Sequence, residues 1–386
     1  MIPYSTQTIT EEDVKAVLNV LNSKFLTQGP KIPSFEKIVT QYCGSNYGVA
    51  VNSATSALHI ACIALGLKEG DLLWTSPNSY VASANCALYC GAEVDFVDID
   101  PLTYNLCPIK LEEKLVKAKK NNRVPKIVVP VHFAGQPCDM KEIKVLSKKY
   151  GFKILEDASH SIGAEYKGKR IGACEFSDIT VFSFHAVKII TTGEGGMAIT
   201  NDFKLFKSMQ LLRSHGVTRD LNLMKGKPHG KWYYQQIDLG FNYRITEMQA
   251  ALGISQMKSI DKNIKKRHIL KDRYDKTLEN FPIQIPYNKS SNYSSLHLYP
   301  IQIRKNSKLI NRKKVFDKLV FCNIGVNVHY IPIHTQPYYK KMGFKESDFP
   351  ASVSYYNNAL SLPLFPNMTT KEQDKVIEAL NYAFKY

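Results

Sequence analysis

Three residue types suited to chemistry stand at the ends of short apolar, β-branched runs in this chain of 386 residues. The run 179–184 leads into Ser183-Phe184-His185-Ala186-Val187-Lys188, and a Thr/Gly loop follows, Thr191-Thr192-Gly193-Glu194-Gly195-Gly196. A lysine at the end of a buried strand is costly to hide as a charge. It suits a neutral amine that condenses with an aldehyde. The run 153–157 ends in Glu156-Asp157-Ala158-Ser159-His160. A carboxylate there could bind a metal, act as a general base or pair with a protonated ring nitrogen. The run 48–52 ends in Asn52-Ser53-Ala54-Thr55-Ser56, small and hydroxyl residues that open a helix. Free N–H groups and a positive helix end favour phosphate at such a place, although Ser or Thr before a helix is more often a plain cap. As a set, a phosphate cradle, a carboxylate for a pyridinium nitrogen and a lysine for an aldehyde are the three anchors of pyridoxal phosphate.

Such a set needs one scaffold to bring it together. Between about 45 and 200 the chain alternates strand-like and helical segments. Strands are expected at 48–52, 72–75, 94–98, 127–131, 153–157, 179–184 and 197–200. Helices are expected at 56–65, 81–90, 141–150 and 203–213. This alternation predicts a mostly parallel sheet covered by helices on both faces. Ligands then bind beyond the carboxyl ends of the strands. Two long polar connections, 158–178 and 214–240, stand out as functional loops, the second carrying the aromatic stretch Trp232–Tyr234. A helix through Met257 and a charged helix from about Ile260 to Leu278 come next. The domain boundary is expected there, with 1–262 forming a large cofactor-binding domain with an N-terminal arm. Residues 263–386 then form a smaller α+β domain, with strands near 296–303 and 326–331 and helices near 312–321 and 370–384.

Composition bounds the alternatives. The chain is 44% hydrophobic and 22% charged, and no apolar run approaches the roughly 18–20 residues of a membrane span. The N-terminus MIPYSTQTIT has neither a basic start nor an apolar stretch, which predicts a cytoplasmic protein. Cys86 and Cys90 have a spacing that could hold a metal, but no His or second Cys pair completes a ligand set, so no metal is expected. The net charge of +17 raises the question of nucleic acid. The basic residues fall in small scattered groups, among them 262–267, without interleaved aromatics. They read as solvated faces, so neither nucleic acid nor membrane is expected as a partner.

The chain resembles the DegT/StrS family of nucleotide-sugar aminotransferases from about residue 3 to its C-terminus. The resemblance rests on Leu26-Thr27-Gln28-Gly29, NSATSAL (52–58), EDASHSIGAEYKGKRIG (156–172), SFHAVKIITTGEGG (183–196), GFNYRITEMQAALG (240–253) and SLPLFPNMT (361–369). Five further segments, LNSKFLTQG (21–29), SPNSYVASANCALYCGA (76–92), RSHGVTRD (213–220), WYYQQ (232–236) and VHYIPIHTQPYY (328–339), resemble the branch of the family that serves pseudaminic acid biosynthesis.

The resemblance implies a type I aminotransferase fold, pyridoxal phosphate, and a homodimer with shared active sites. It implies that Lys188 carries the cofactor and that Asp157 pairs with the pyridine nitrogen. Tyr80 stacks on the ring, and His160 lies near the phenolic oxygen. Ala54, Thr55 and Ser183 hold the phosphate, which Asn242 reaches from the neighbouring subunit. It implies L-glutamate as donor, leaving as 2-oxoglutarate, and a UDP-linked 4-keto sugar as acceptor. Tyr4, Thr27, Arg244, His329 and Tyr330 are its candidate contacts. His329 and Tyr330 fall on an expected strand, where alternation would turn one of them into a core. A different 4-keto or 3-keto nucleotide sugar is the alternative substrate. A sugar dehydratase of the same fold carries a histidine in place of the lysine, so Lys188 argues against that reaction.

Overall fold

The computed structural model describes residues 1–304 and 310–385. Seven strands form the main sheet: β1 (Tyr47–Val51), β2 (Leu72–Thr75), β3 (Glu93–Phe96), β4 (Ile127–Val129), β5 (Lys153–Asp157), β6 (Ile179–Ser183) and β7 (Gly196–Thr200). Their order is β1-β7-β6-β5-β4-β2-β3. Strand β7 runs antiparallel to both of its neighbours, and every other pairing is parallel. β4 and β6 are buried at every residue, the pattern of strands covered on both faces. Alternation along β6 sends Phe182 into one apolar cluster, with Phe35 and Phe184, and Val181 into another, with Val49, Leu58 and Ile60. This is the mostly parallel, helix-covered sheet expected from the sequence, and β2 and β5 have the expected bounds.

Local signals account for the helices that matter to the site. Ser53 caps the helix Ala54–Ala64 by accepting from the Ser56 N–H at 3.1 Å. Thr246 and Gln249 form a capping box on the helix Glu247–Met257. The buried Glu247 carboxylate then accepts the N–H groups of Lys31 and Ile32 at 2.7 and 3.1 Å, closing the turn that follows Thr27-Gln28-Gly29.

The helix Ile260–Leu278 crosses the expected boundary. Beyond it, β8 (Ile283–Gln284), β9 (Tyr299–Ile303) and β10 (Ala359–Leu362) form an antiparallel sheet in that order, packed with Tyr274, Leu319 and Leu380. The N-terminal arm docks on this part. Ile2 bridges Ile324, and Leu364 donates its N–H to the Tyr4 carbonyl at 3.0 Å.

Three expectations change. Residues 326–331 form no strand. The segment touches the small sheet by a single bridge, Asn327 to Ser361, and β10 occupies the place beside β9. A cis peptide joins His329 to Tyr330. Because the segment is not a strand, alternation does not apply to this pair, and both side chains face one cavity. The connection 158–178 is partly ordered as a hairpin, Glu165–Tyr166 against Lys169–Arg170, and Asn292–Tyr293 adds a third strand. The basic group 262–267 is not uniformly solvated, because Arg267 is 1% exposed.

Candidate active site

The carboxyl ends of β1, β5 and β6 open on a cavity of about 560 Å³. Alternation along β5 separates its two carboxylates. Glu156 turns away and meets the buried His132 Nε2 at 2.7 Å. Asp157 faces the cavity. Its Oδ2 accepts from the Ser83 hydroxyl at 2.6 Å and its Oδ1 from the Ser159 N–H at 3.1 Å. Ala54 and Thr55 are the first two residues of their helix, so their N–H groups have no acceptor within it. The adjacent strand leaves room for those groups because residue 196 is glycine. A Cβ there would stand 2.5 Å from the Ala54 nitrogen and the Ser53 carbonyl carbon. The buried Ser183 hydroxyl lines the same corner.

Lys188 reaches this cavity from the turn after β6, which is held by its own N–H donating to the His185 carbonyl at 2.9 Å. The side chain is partly accessible through the cavity, while protein surrounds the ammonium. Burial pushes the ammonium down to about 8, and the charge of Asp157 opposes that shift. Among the described residues its Nζ makes no hydrogen bond or ion pair. Four imidazoles line the cavity, and three of them, His160, His297 and His329, are buried. Burial holds the first two of these well below the ordinary histidine range and takes His329 down to about 3, and the Lys188 charge adds to the effect in each. These three rings are therefore neutral near pH 7. Burial pushes the Tyr330 phenol up, so it stays protonated.

Ten of the residues singled out in the sequence line this one cavity: Tyr4, Ala54, Thr55, Tyr80, Asp157, His160, Ser183, Lys188, His329 and Tyr330. Tyr80 is 63% exposed at its mouth. Three do not. Thr27 is exposed, Asn242 is exposed and bridges Ser214, and Arg244 bridges Val51. Sequence reasoning missed Ser79, Ser83 and His297. The Ser79-x-x-x-Ser83 spacing was available as a signal. His297 gave none, because its position depends on how two distant segments fold together. A larger groove of about 630 Å³ lies at the far edge of the sheet over Trp74 and Lys114. The Lys114 ammonium there is already paired with Asp95 at 2.6 Å, and no comparable set of groups gathers around it.

A model of the DegT/DnrJ/EryC1/StrS aminotransferase family matches residues 7–381. The chain belongs to that family. It is 38% identical over 382 residues to the spore coat polysaccharide biosynthesis protein SpsC of Bacillus subtilis, covering 98% of this chain and 96% of the relative. It is also 38% identical over 381 residues to the UDP-4-amino-4,6-dideoxy-N-acetyl-beta-L-altrosamine transaminase of Campylobacter jejuni, with the same coverage. Among solved structures, Helicobacter pylori PseC, an aminotransferase involved in the biosynthesis of pseudoaminic acid, superposes with a TM-score of 0.90 at 33% identity, covering 99% of each chain. The fold is that of these enzymes, the type I aminotransferase fold. Aminotransferases of the family use pyridoxal phosphate. The cavity fits that cofactor. It offers a fixed carboxylate for a ring nitrogen and, unpaired among the described residues, N–H groups for a phosphate and the amine of a lysine.

Proposed function

We propose that this aminotransferase moves the amino group of L-glutamate to C4 of a UDP-linked 4-keto-6-deoxy-N-acetylhexosamine. The product is then UDP-4-amino-4,6-dideoxy-N-acetyl-β-L-altrosamine, a step of pseudaminic acid formation. One observation carries the reading. Lys188, whose amine has no hydrogen-bond or ion-pair partner among the described residues, opens on the same cavity as Asp157 and the N–H groups of Ala54 and Thr55. The names of the Campylobacter relative and of the Helicobacter structure support the choice of sugar.

When bound, pyridoxal phosphate supplies an electron sink for the carbanion at the reacting carbon. The chain's own groups do the rest. Ala54, Thr55 and Ser183 would hold its phosphate, and Tyr80 would lie against its ring. Asp157 would keep the ring nitrogen protonated, and His160 would stand on the side of the phenolic oxygen. A lysine whose proton affinity burial has lowered is poised to take and return protons near neutral pH. Lys188 takes the proton from the donor's α-carbon and delivers one to C4 of the sugar. Tyr4, His329 and Tyr330 line the space left for that sugar. Asn242, Thr27 and Arg244 lie off the cavity of their own chain and act across a dimer, Asn242 on the phosphate and the other two on the substrate. The exposed Trp232, Tyr234 and Leu239 on the 214–240 arm support such an association, since apolar side chains of this size favour burial against a second chain.

Incubation with candidate UDP-4-keto sugars and glutamate, followed by NMR assignment of the C4 configuration, tests the reading. A product with the other C4 configuration, or none, would sink the assignment. A second reading, a different 4-keto or 3-keto nucleotide sugar, draws support from the equal identity to SpsC and to the Campylobacter transaminase. The same substrate panel separates the two.

A further inference from the structure

The carboxylate of Asp157 is the end of a chain of hydroxyl groups. Ser83 Oγ lies 2.6 Å from Asp157 Oδ2, and Ser79 Oγ lies 2.7 Å from Ser83 Oγ. All three side chains are buried. The direction of the chain follows from counting protons. An ionised carboxylate accepts and cannot donate, and a serine hydroxyl has one proton. Ser83 gives its proton to Asp157, so the second contact runs from the Ser79 hydroxyl to Ser83 Oγ. Each donor is polarised by the one behind it, which strengthens the bond that reaches the carboxylate.

Both serines sit on firm backbone. The Ser83 N–H donates to the Tyr80 carbonyl at 3.3 Å, at the start of the helix Ala82–Tyr89. Ser79 follows Asn78, whose side-chain amide donates to the Tyr104 carbonyl at 3.2 Å and whose N–H meets Ser76 Oγ at 3.2 Å. A carboxylate on a strand end can turn about its last bond. Here one oxygen is held by the strand's own turn, through the Ser159 N–H, and the other by a different element.

We propose that Ser79 and Ser83 are positioning residues, a two-hydroxyl relay that fixes the Asp157 carboxylate against the ring nitrogen of the cofactor. The inference rests on the reading that Asp157 pairs with that nitrogen. Ser83 acts through Asp157, and Ser79 acts through Ser83. Losing the relay lets the carboxylate turn away from the ring nitrogen, and cofactor binding then weakens.

The test is a titration of the cofactor-free full chain with pyridoxal phosphate, for the parent, Ser83→Ala, Ser83→Thr, Ser79→Ala, the double Ser79→Ala/Ser83→Ala and Asp157→Asn. Loss of a hydrogen bond to a charged acceptor is worth about tenfold, so Ser83→Ala is expected to raise Kd by about that factor. In that variant kcat falls with little change in the KM for glutamate. Ser83→Thr keeps the hydroxyl and stays within about threefold of the parent. Ser79→Ala gives a smaller loss that vanishes in the Ser83→Ala background, because its effect passes through Ser83. Parent-like binding by Ser83→Ala, or a Ser79→Ala effect that persists in full in the double variant, overturns the relay. Should Ser83→Ala not accumulate as folded protein, Ser83→Cys keeps the volume with a weak donor and is read in the same way. Asp157→Asn separates the two levels. If it binds the cofactor as the parent does, the reading of Asp157 itself fails. If it binds poorly while Ser83→Ala does not, the relay alone fails.

Discussion

His160 and Tyr330 meet at 3.1 Å, ring Nε2 to phenol oxygen, and the tautomer of the histidine sets what the tyrosine can do. The other nitrogen, Nδ1, accepts the N–H of Ala134 at 3.2 Å. That N–H is aimed by an alanine in left-handed backbone, φ 57, a conformation that costs a residue with a Cβ on the order of 1 kcal/mol. A neutral imidazole that accepts at Nδ1 carries its proton on Nε2. His160 therefore donates to Tyr330, and the Tyr330 proton is left free to point into the cavity. Nitrogen-15 NMR of the imidazole is expected to show a protonated Nε2 and a bare Nδ1. Tyr330→Phe is expected to lower kcat/KM for the keto sugar by about tenfold, the worth of one such donor. A protonated Nδ1 in the spectrum would contradict the arrangement.

Lys188 makes stability depend on pH in a defined window. Folded, it releases its proton near about 8, whereas an unfolded lysine does so near 10.5. Between those values the unfolded chain binds more protons, so raising the pH stabilises the cofactor-free fold. Below the window the charged amine costs about 3 kcal/mol of stability. Lys188→Met removes that cost. The variant is expected to be the more stable protein at pH 7, by roughly that amount, and the difference should close as pH approaches 10. Urea denaturation of both cofactor-free proteins across the range checks it, and a gap that does not change with pH would refute it.

The close approach at Gly196 gives a prediction about the phosphate end. An added Cβ would stand 2.5 Å from backbone atoms of Ser53 and Ala54, and backbone cannot swing aside as a long side chain can. Gly196→Ala must push the helix start away from β7. The expected cost is about 1–3 kcal/mol in stability. Cofactor affinity should fall further than this strain alone requires, because the displaced N–H groups are those proposed to hold the phosphate. Calorimetric titration with pyridoxal phosphate, alongside thermal unfolding, measures the two losses separately.

Much of this was legible in the sequence because it is local. The strand ends that carry Ala54, Asp157 and Lys188 follow from β-branched runs broken by small or polar residues, and a parallel sheet gathers such ends on one edge. What could not be read depends on tertiary placement. Residues 326–331 have the residue types of a strand, yet β10, thirty residues later in the chain, takes the position beside β9. Thr27, Asn242 and Arg244 do not stand at the strand ends that form the cavity, and none of the three faces the cavity of its chain. Arg267 sits among basic residues that face solvent, and only its place in step with Ile260, Ile264, Leu270, Tyr274 and Leu278 on the helix marks it as buried.

Arg267 supports the wall of the cavity from behind. The two protons of its Nη1 serve three carbonyls, one on Leu364 at 2.8 Å and the other shared between Leu296 and His297 at 3.2 and 3.3 Å. Burial lowers its proton affinity, to about 10, and it remains charged at neutral pH. It has no carboxylate partner among the described residues, so two large effects oppose each other. The desolvated charge is a cost, and the three carbonyls gain charge-assisted bonds that nothing else supplies. Arg267→Leu removes the charge but leaves three buried acceptors empty, in a segment where Leu296 already holds a left-handed backbone, φ 52. One full and one shared charge-assisted bond outweigh the relieved charge, and the expected net loss is about 2 kcal/mol. His297 and His160, with ring centroids 4.4 Å apart, should then lose their register, so kcat falls together with stability. Chemical denaturation of the cofactor-free chain measures the first effect. If Arg267→Leu proved as stable as the parent, the desolvation cost would equal the bonds, and the arginine would hold the wall without stabilising the fold.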